Sequence, residues 1–192
     1  MKQVKVSQRT RAITGGALVA ALALGGFGAY AASAAPAQAP APAPAAQADA
    51  KTDAKNKNLT ESTHLTIDAA TKAAQTALDA AKKENQRVTV AVVDRNGNTI
   101  VTLRGDGAGP QSYDAAQRKA YTAVSWNAPT SVLAGRLAQT PTLKDIPGTL
   151  FLGGGAPVTA KNAPIAGIGV AGAPSGDLDE KFAQAGVAAL NK

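Results

Sequence analysis

The sequence lacks cysteine and has very few of the other residues on which common catalytic and metal sites depend. Among its 192 residues there is one histidine, one tryptophan and one methionine, and aromatic residues make up only 4% of the chain. Without cysteine the protein cannot form disulfides or use a catalytic thiol. With a single histidine it also cannot build an H-E-x-x-H or a Cys/His zinc site. We therefore predict no catalytic residues of these types.

The N-terminus is typical of a secretory signal peptide. Its basic residues are Lys2, Lys5, Arg9 and Arg11. They precede an uncharged run rich in alanine, leucine and glycine, in which Ala32 and Ala34 fit the small-residue cleavage pattern. We place cleavage after Ala34, with Ala29 and Ala31 as the alternative pattern. Residues 1–34 thus predict a secreted protein without a transmembrane helix, whereas a retained membrane anchor would need a longer apolar run that glycine does not interrupt.

Most of the positive charge belongs to this N-terminal segment. The whole chain has a formal net charge of +7, and residues 1–34 contribute four positive charges and no negative ones, which leaves +3. The remaining charges of both signs are interspersed, without a long basic run. Nucleic acid is therefore not an expected partner.

Residues 35–58 are predicted to be a disordered linker. The segment begins as alternating proline and alanine and grades into lysine, aspartate and asparagine. It cannot bury enough apolar surface to fold, and alternating proline and alanine favour an extended spacer. Residues 59–192, by contrast, suffice for a single hydrophobic core, so we expect one folded domain there.

The folded part is predicted to contain four helices. Thr66 caps a first helix that runs to Lys83, and the second covers 113–126 after Ser112. Thr130 caps a short helix over 131–137. The last helix begins at Asp177, where Glu180 stands in the position of an acidic capping box.

Five strands are predicted between these helices, over 88–94, 99–104, 150–153, 157–160 and 165–172. The first two flank Asn96-Gly97, the strongest short hairpin signal, because both residues tolerate a positive φ. Five strands joined by tight turns predict an α+β fold with an antiparallel sheet flanked by helices. Gly167, Gly169 and Gly172 match G-x-G-x-x-G, but they lie inside a predicted strand. We interpret them as allowing close approach of a helix or another subunit, and not as a dinucleotide site.

A glycine-rich loop and the helix after it are the candidate ligand site. Gly107 and Gly109, in the loop 105–110, leave backbone N–H groups free before a helix start, where an anionic group could bind. On the helix, Arg118, Lys119 and Tyr121 lie near Thr122. A cation, a hydroxyl and an aromatic ring suit a planar ligand with carboxylates. The alternatives are a plain connecting loop and ordinary core or subunit contacts.

Three segments carry a resemblance to a known family. They are VTVAVVDRNGNTIVTLRGDGAGPQSYDAAQRKAYTAV at 88–124, DIPGTLFLGGGAPV at 145–158, and NAPIAGIGVAGAPSGDLDEKFAQAG at 162–186. Together they resemble the GlcG/HbpS family, in particular its secreted haem-binding members, over about residues 65–190. The resemblance implies a profilin-like fold and reversible haem binding by a homo-oligomer.

The resemblance also implies an unusual iron ligand. It implies that a threonine hydroxyl coordinates the haem iron, and the match at RKAYTAV assigns this role to Thr122. His64 is the alternative, as the one conventional nitrogen ligand in the chain. Asp177, Asp179 and Glu180 offer hard oxygen donors for iron at the surface. Equally, these acids could simply favour the start of the last helix.

The function implied is sequestration of haem and iron outside the cytoplasm. By resemblance, the protein would also modulate the extracellular domain of a membrane sensor kinase during oxidative stress, with haem breakdown as a slow secondary activity. One alternative is an enzyme or enzyme accessory of the GlcG type, acting in small-molecule metabolism. Another is a structural adaptor without a ligand, in which the helix face around Thr122 is an interface.

Overall fold

A computed structural model of the chain describes residues 53–191. The predicted signal peptide, and the predicted linker up to residue 52, lie outside the described residues. The end of that linker, 53–58, is exposed and contains one 3-10 turn, Asn56–Asn58. Within the described part, no helix has both the length and the apolar character needed to cross a membrane.

The described residues form an α+β domain, as predicted. Its main elements in chain order are α1 (Ile67–Lys83), β1 (Thr89–Asp94), β2 (Thr99–Arg104), α2 (Gln111–Trp126), α3 (Thr130–Arg136), β3 (Gly155–Ala160), β4 (Ala163–Ala171) and α4 (Gly176–Ala188). The sheet has the order β2-β1-β4-β3, and all neighbouring strands are antiparallel. Short 3-10 turns follow α3 and α4.

The sheet formed by residues 53–191 has four strands, so the predicted strand at 150–153 is wrong. The backbone there bonds to a helix side chain and not to a neighbouring strand, because the N–H of Leu150 donates to Thr122 Oγ1 at 2.8 Å. The chain joins the sheet at Gly154, whose φ is +127° and whose carbonyl accepts from the N–H of Val170 at 2.8 Å. Glycine is needed at such a φ, which ends the extended run before it can pair.

The predicted helices are all present, with differences at the starts of three of them. The second helix begins at Gln111, before the predicted start at 113. Thr66 caps α1 as predicted, accepting from the N–H of Ala69 at 3.2 Å. In α4 the capping side chain is Ser175, which accepts from Leu178 N–H at 3.2 Å, so the helix starts before Asp177. Thr130 does not cap α3, because it lies inside the helix, and its hydroxyl accepts from the N–H of Gly155 at 2.7 Å.

Helices cover both faces of the sheet. Successive side chains along a strand point to opposite faces, so the apolar residues of β1 and β4 need a packing partner on each face. Val90, Val92, Ile168 and Val170 pack with α1 and α4 in the main core, which also contains Phe182. The residues between them face α2, where Ala91 packs on Ala116 and Val93 packs on Ala120. The sheet thus separates the main core, which contains valine, isoleucine and phenylalanine side chains, from a thinner layer built of alanine and glycine.

The G-x-G-x-x-G segment has the structural role expected of it. A Cβ on Gly169 would lie 2.0 Å from the carbonyl oxygen of Ala116, and one on Gly167 would lie 2.2 Å from that of Ala120. The helix backbone therefore rests directly on β4. No side chain fits between α2 and β4, so the position of α2 and of its side chains is fixed relative to the sheet.

We predict that Gly169→Ala destabilises the protein by at least about 1–3 kcal/mol, since overpacking of this size must displace α2. The control is Gly135→Ala on α3, where an added Cβ meets nothing within 4 Å. There the change should be neutral or slightly stabilising, because alanine favours a helix more than glycine does. Urea unfolding of both variants measures the difference. Equal stability of Gly169→Ala and the wild type would contradict the close packing of α2 on β4.

Candidate functional site

An open groove lies along α2, and two of the predicted site residues line it. Arg118 and Tyr121 face the β1–β2 hairpin across the groove, and a turn at Pro147-Gly148 forms one wall. Its volume is about 420 Å³. The lining residues are Val93, Gly97, Thr99, Gln117, Arg118, Tyr121, Pro147 and Gly148.

The ring of Tyr121 lies in a slot between two glycine turns. A Cβ on Gly97 would be 2.8 Å from Tyr121 Cε2, and a Cβ on Gly148 would be 3.7 Å from Cε1. Both glycines have a positive φ, +89° and +79°, which other residues adopt rarely. The turns thus approach the two edges of the ring, and they hold an aromatic surface at the groove.

Asp94 fixes the hairpin turn that forms one side of this slot. Its Oδ1 accepts from the N–H groups of Asn96 and Asn98 at 2.8 and 2.9 Å. Partial burial by itself raises the pKa of Asp94, but the hydrogen bonds from Asn98 and Asn96 outweigh it and hold the pKa below the usual value. The carboxylate therefore stays ionised, and the turn that carries Gly97 keeps its shape.

Arg118 supplies positive charge at the groove. Its Nη2 donates to the carbonyl of Thr149 at 2.7 Å, and its Nη1 is 3.7 Å from Asp114 Oδ2. The side chain remains 41% exposed. Because a guanidinium has five N–H donors, it keeps donors that a carboxylate in the groove could accept from.

Thr122 does not line the groove, and its role as the haem-iron ligand stays a prediction. The residue is fully buried. Its hydroxyl donates to the carbonyl of Arg118 at 2.8 Å and accepts from the N–H of Leu150 at 2.8 Å. The hydroxyl thus ties the segment after the Pro147-Gly148 turn to α2, and so positions a wall of the groove.

We predict that Thr122→Val destabilises the protein by about 1–3 kcal/mol, because the isosteric side chain leaves the half-buried N–H of Leu150 without an acceptor. Thr122→Ser keeps the hydroxyl and should retain most of that stability. Denaturant unfolding compares the two, and hydrogen exchange at Leu150 reports the bond directly. If the Val and Ser variants were equally stable, the hydroxyl would not be the link between helix and turn.

Lys119 does not line the groove along α2, and its role as a haem-binding residue stays a prediction. Its side chain is 3% exposed, and Nζ lies 2.8 Å from Asp179 Oδ2 and 3.0 Å from the carbonyl oxygen of Val170. A Cβ on Gly154 would be 2.7 Å from that Nζ. Burial raises the pKa of Asp179, and the hydrogen bond and charge of Lys119 lower it only in part. This ion pair joins α2 to α4 through the interior.

Glu180 belongs to the same interior and not to a surface iron site. It accepts from the N–H of Ser131 at 2.9 Å and from the Ser131 hydroxyl at 2.6 Å. It therefore caps α3 from a distant helix, since Pro129 at the cap position provides no side-chain bond. Asp177 is exposed, whereas Asp179 and Glu180 are buried. The three carboxylates do not form a surface cluster, and within 53–191 no group of three or more His, Cys, Asp or Glu side chains could hold a metal.

We predict that Lys119→Met costs about 3–5 kcal/mol of stability, because it leaves the buried Asp179 carboxylate without its cation. The exposed pair Lys181–Glu84 has a similar N–O distance, 2.6 Å, and is a matched control. Lys181→Met should cost at most about 1 kcal/mol, since solvent screens exposed pairs. Thermal and urea unfolding measure both. A smaller loss for Lys119→Met than for Lys181→Met would contradict the buried ion pair.

The raised pKa of Asp179 also predicts how stability depends on pH. The contribution of Asp179 to stability is present below the pKa of the unfolded state and is lost as the pH rises through the pKa of the folded state.

The glycine loop lies away from the groove, so the structure does not bring the two halves of the predicted site together. Gly109 lies two residues before α2, and the helix rises about 15 Å from Gln111 to Tyr121, at about 1.5 Å per residue. Gly107 is approached instead by Arg87, whose Cδ would lie 2.9 Å from a Cβ placed there. Neither Gly107 nor Gly109 contacts the groove.

His64 is exposed before α1, and its Nε2 lies 2.6 Å from Ser62 Oγ. It is not part of the groove lining, and its role as the alternative iron ligand stays a prediction. Pro147, Gly148 and Gln117 line the groove but were not among the predicted site residues. The Pro-Gly pair signals a turn, but nothing local in the sequence indicates which helix that turn contacts.

Comparison with known proteins gives the class of this domain. Residues 65–188 match the model of the family described as haem degrading protein HbpS-like. A crystal structure of a double mutant of HbpS from Streptomyces reticuli is 74% identical, with a TM-score of 0.73, and the match covers 73% of this chain and 97% of that one. The crystal structure of a PduOC:haem complex is 26% identical, with a TM-score of 0.61, over 66% of this chain and 95% of that one.

An uncharacterised 15.0 kDa protein from Citrobacter freundii, encoded in a dhaT-dhaS intergenic region, is 33% identical over 113 residues, which are 56% of this chain and 80% of that protein. The family match covers more than half of the chain. The chain therefore belongs to the HbpS-like family, as the resemblance predicted, and its function is related to haem.

Proposed function

We propose that this protein binds haem reversibly, and that the haem lies in the groove along α2. The observation that carries the proposal is that the groove places the ring of Tyr121 beside the guanidinium of Arg118. A porphyrin needs an apolar or aromatic surface for its ring and a cation for its propionates. Family membership and the likeness to a protein crystallised with haem support the same ligand.

The residues of the groove fit that ligand. Val93, Pro147 and the Tyr121 ring offer apolar surface, and Arg118 would hold a propionate. Among the lining residues, Tyr121 is the one whose side chain belongs to the usual ligands of haem iron. When bound, the haem would supply iron that changes its oxidation state. Pro147 and Gly148 are exposed, so the groove opens to solvent, which suits reversible loading.

The biological role we propose is that of a secreted protein that sequesters haem and iron and acts as an accessory sensor of oxidative stress. Export is supported by the signal-peptide pattern of residues 1–34. Action as a homo-oligomer on the extracellular domain of a membrane sensor kinase is supported by the family resemblance. A second candidate is slow haem breakdown, which the description of the matching family favours.

The test is a hemin titration of the full chain, followed by the Soret band. We predict saturable binding, weakened about tenfold or more in Arg118→Gln, since a hydrogen bond to a charged group contributes about 1.5–3 kcal/mol and each 1.4 kcal/mol is tenfold. Tyr121→Ala should weaken binding and shift the band. The matched control is Arg136→Gln on α3, which removes the same charge from an exposed arginine outside the groove and should bind as the wild type does.

The titration also separates the alternatives. A Soret band that keeps the position and intensity of free hemin at stoichiometric hemin would refute haem binding and favour the structural adaptor. A shift of the band that His64→Ala alone abolishes would move the iron ligand out of the groove. Loss of bound haem absorbance over time with a reductant and oxygen, faster than for free hemin, would favour the degrading enzyme.

A further inference from the structure

A second cavity lies at the C-terminal end of α1, and its lining shares no residue with the groove. Its volume is about 290 Å³. It lies between the connection from α1 to β1 and the glycine loop that follows β2. The lining residues are Leu78, Lys82, Asn85, Gln86, Arg87, Gly105 and Asp106.

Two cations line this cavity, and the contacts of the described residues give neither a partner. Lys82 and Arg87 are both exposed, and neither side chain makes a hydrogen bond or an ion pair within 53–191. The nearby carboxylate of Glu84 is already bonded to Lys181 at 2.6 Å. The final carbonyls of α1 are also used, because Ala81 accepts from Gln86 N–H at 2.9 Å. The positive charge is therefore available to a ligand.

The glycine loop at the other side of the cavity is held in a fixed shape. The N–H of Gly105 donates to the carbonyl of Val88 at 2.9 Å, and Arg104 Nη2 donates to the carbonyl of Ala108 at 2.6 Å. Gly107 has a φ of +75°, and the position of its missing Cβ is 3.4 Å from both Nε and Nη1 of Arg87. The guanidinium of Arg87 thus lies against the loop. A left-handed backbone conformation such as that of Gly107 turns neighbouring N–H groups toward one side.

We propose that this cavity is a second binding site, which takes an oxyanion: the carboxylate or phosphate group of a small molecule. Arg87 would bind it through the fork of its guanidinium, and Lys82 would add a point charge. The site is separate from the groove along α2, since the two share no lining residue. Asp106 opposes the anion, because its carboxylate lines the same cavity, so its removal should strengthen binding.

The experiment titrates the ¹⁵N-labelled full chain with inorganic phosphate, and in a second arm with acetate, while NMR follows the amides of Gly105, Gly107 and Arg87. We expect saturable shifts at these amides. Arg87→Gln should weaken binding about tenfold. Asp106→Asn should tighten it. The matched control is Lys83→Gln, which removes the same charge one residue from Lys82 but outside the lining, and it should leave the affinity unchanged.

The opposite results would overturn the site. Linear, unsaturable shifts with both anions, or a loss of affinity in Lys83→Gln equal to that in Arg87→Gln, would mean that the anions respond only to overall charge. Tighter binding of phosphate than acetate identifies a phosphate group as the ligand chemistry, and the reverse identifies a carboxylate. Hemin affinity should be the same in Arg87→Gln and wild type, and a parallel loss would contradict the independence of the two sites.

Discussion

The contact of the α2 backbone with β4 is the constraint on which the rest of the structure depends. Gly167 and Gly169 remove the side-chain layer that normally separates a helix from a sheet. Because the helix is held so close, its rotation is fixed, and each residue has one set of surroundings. Lys119 faces the interior, Thr122 faces the chain after the 147–148 turn, and Arg118 and Tyr121 face the groove. One helix therefore supplies both the internal bonding and the candidate ligand surface.

Two glycines of the triplet at 153–155 are explained by the close approach of Lys119. A side chain on Gly154 would collide with Lys119 Nζ, and one on Gly155 would lie 2.5 Å from the carbonyl oxygen of Lys119. The same short segment donates the N–H of Gly154 to Glu180 at 3.3 Å and that of Gly155 to Thr130 at 2.7 Å. These small residues are spacers around an ionic core. Such a core is a weak source of stability but penalises any arrangement that separates its charges.

Local patterns predicted most of the fold and less of the site. The Asn96-Gly97 hairpin and the cap at Thr66 follow from turn and capping chemistry, which acts within a few residues, and the structure confirms both. The strand predicted at 150–153 failed because its backbone bonds to Thr122, far away in the sequence. Asp179 and Glu180 look like ordinary acids in a first helical turn, and their partners Lys119 and Ser131 are distant in sequence. Only the folded chain distinguishes a capping acid from a buried one.

The slot around Tyr121 has a consequence for how this sequence can change. Gly97 meets two independent requirements, because the hairpin needs its positive φ and the ring of Tyr121 occupies the space of its Cβ. A mutation that satisfied the turn, such as one to asparagine, would still collide with the tyrosine. Positions 97 and 121 are therefore coupled, because a side chain at 97 requires the Tyr121 ring to move or to be replaced by a smaller side chain. Substitutions at the two positions should be non-additive, so that a change in the hairpin turn is also a change in the candidate ligand surface.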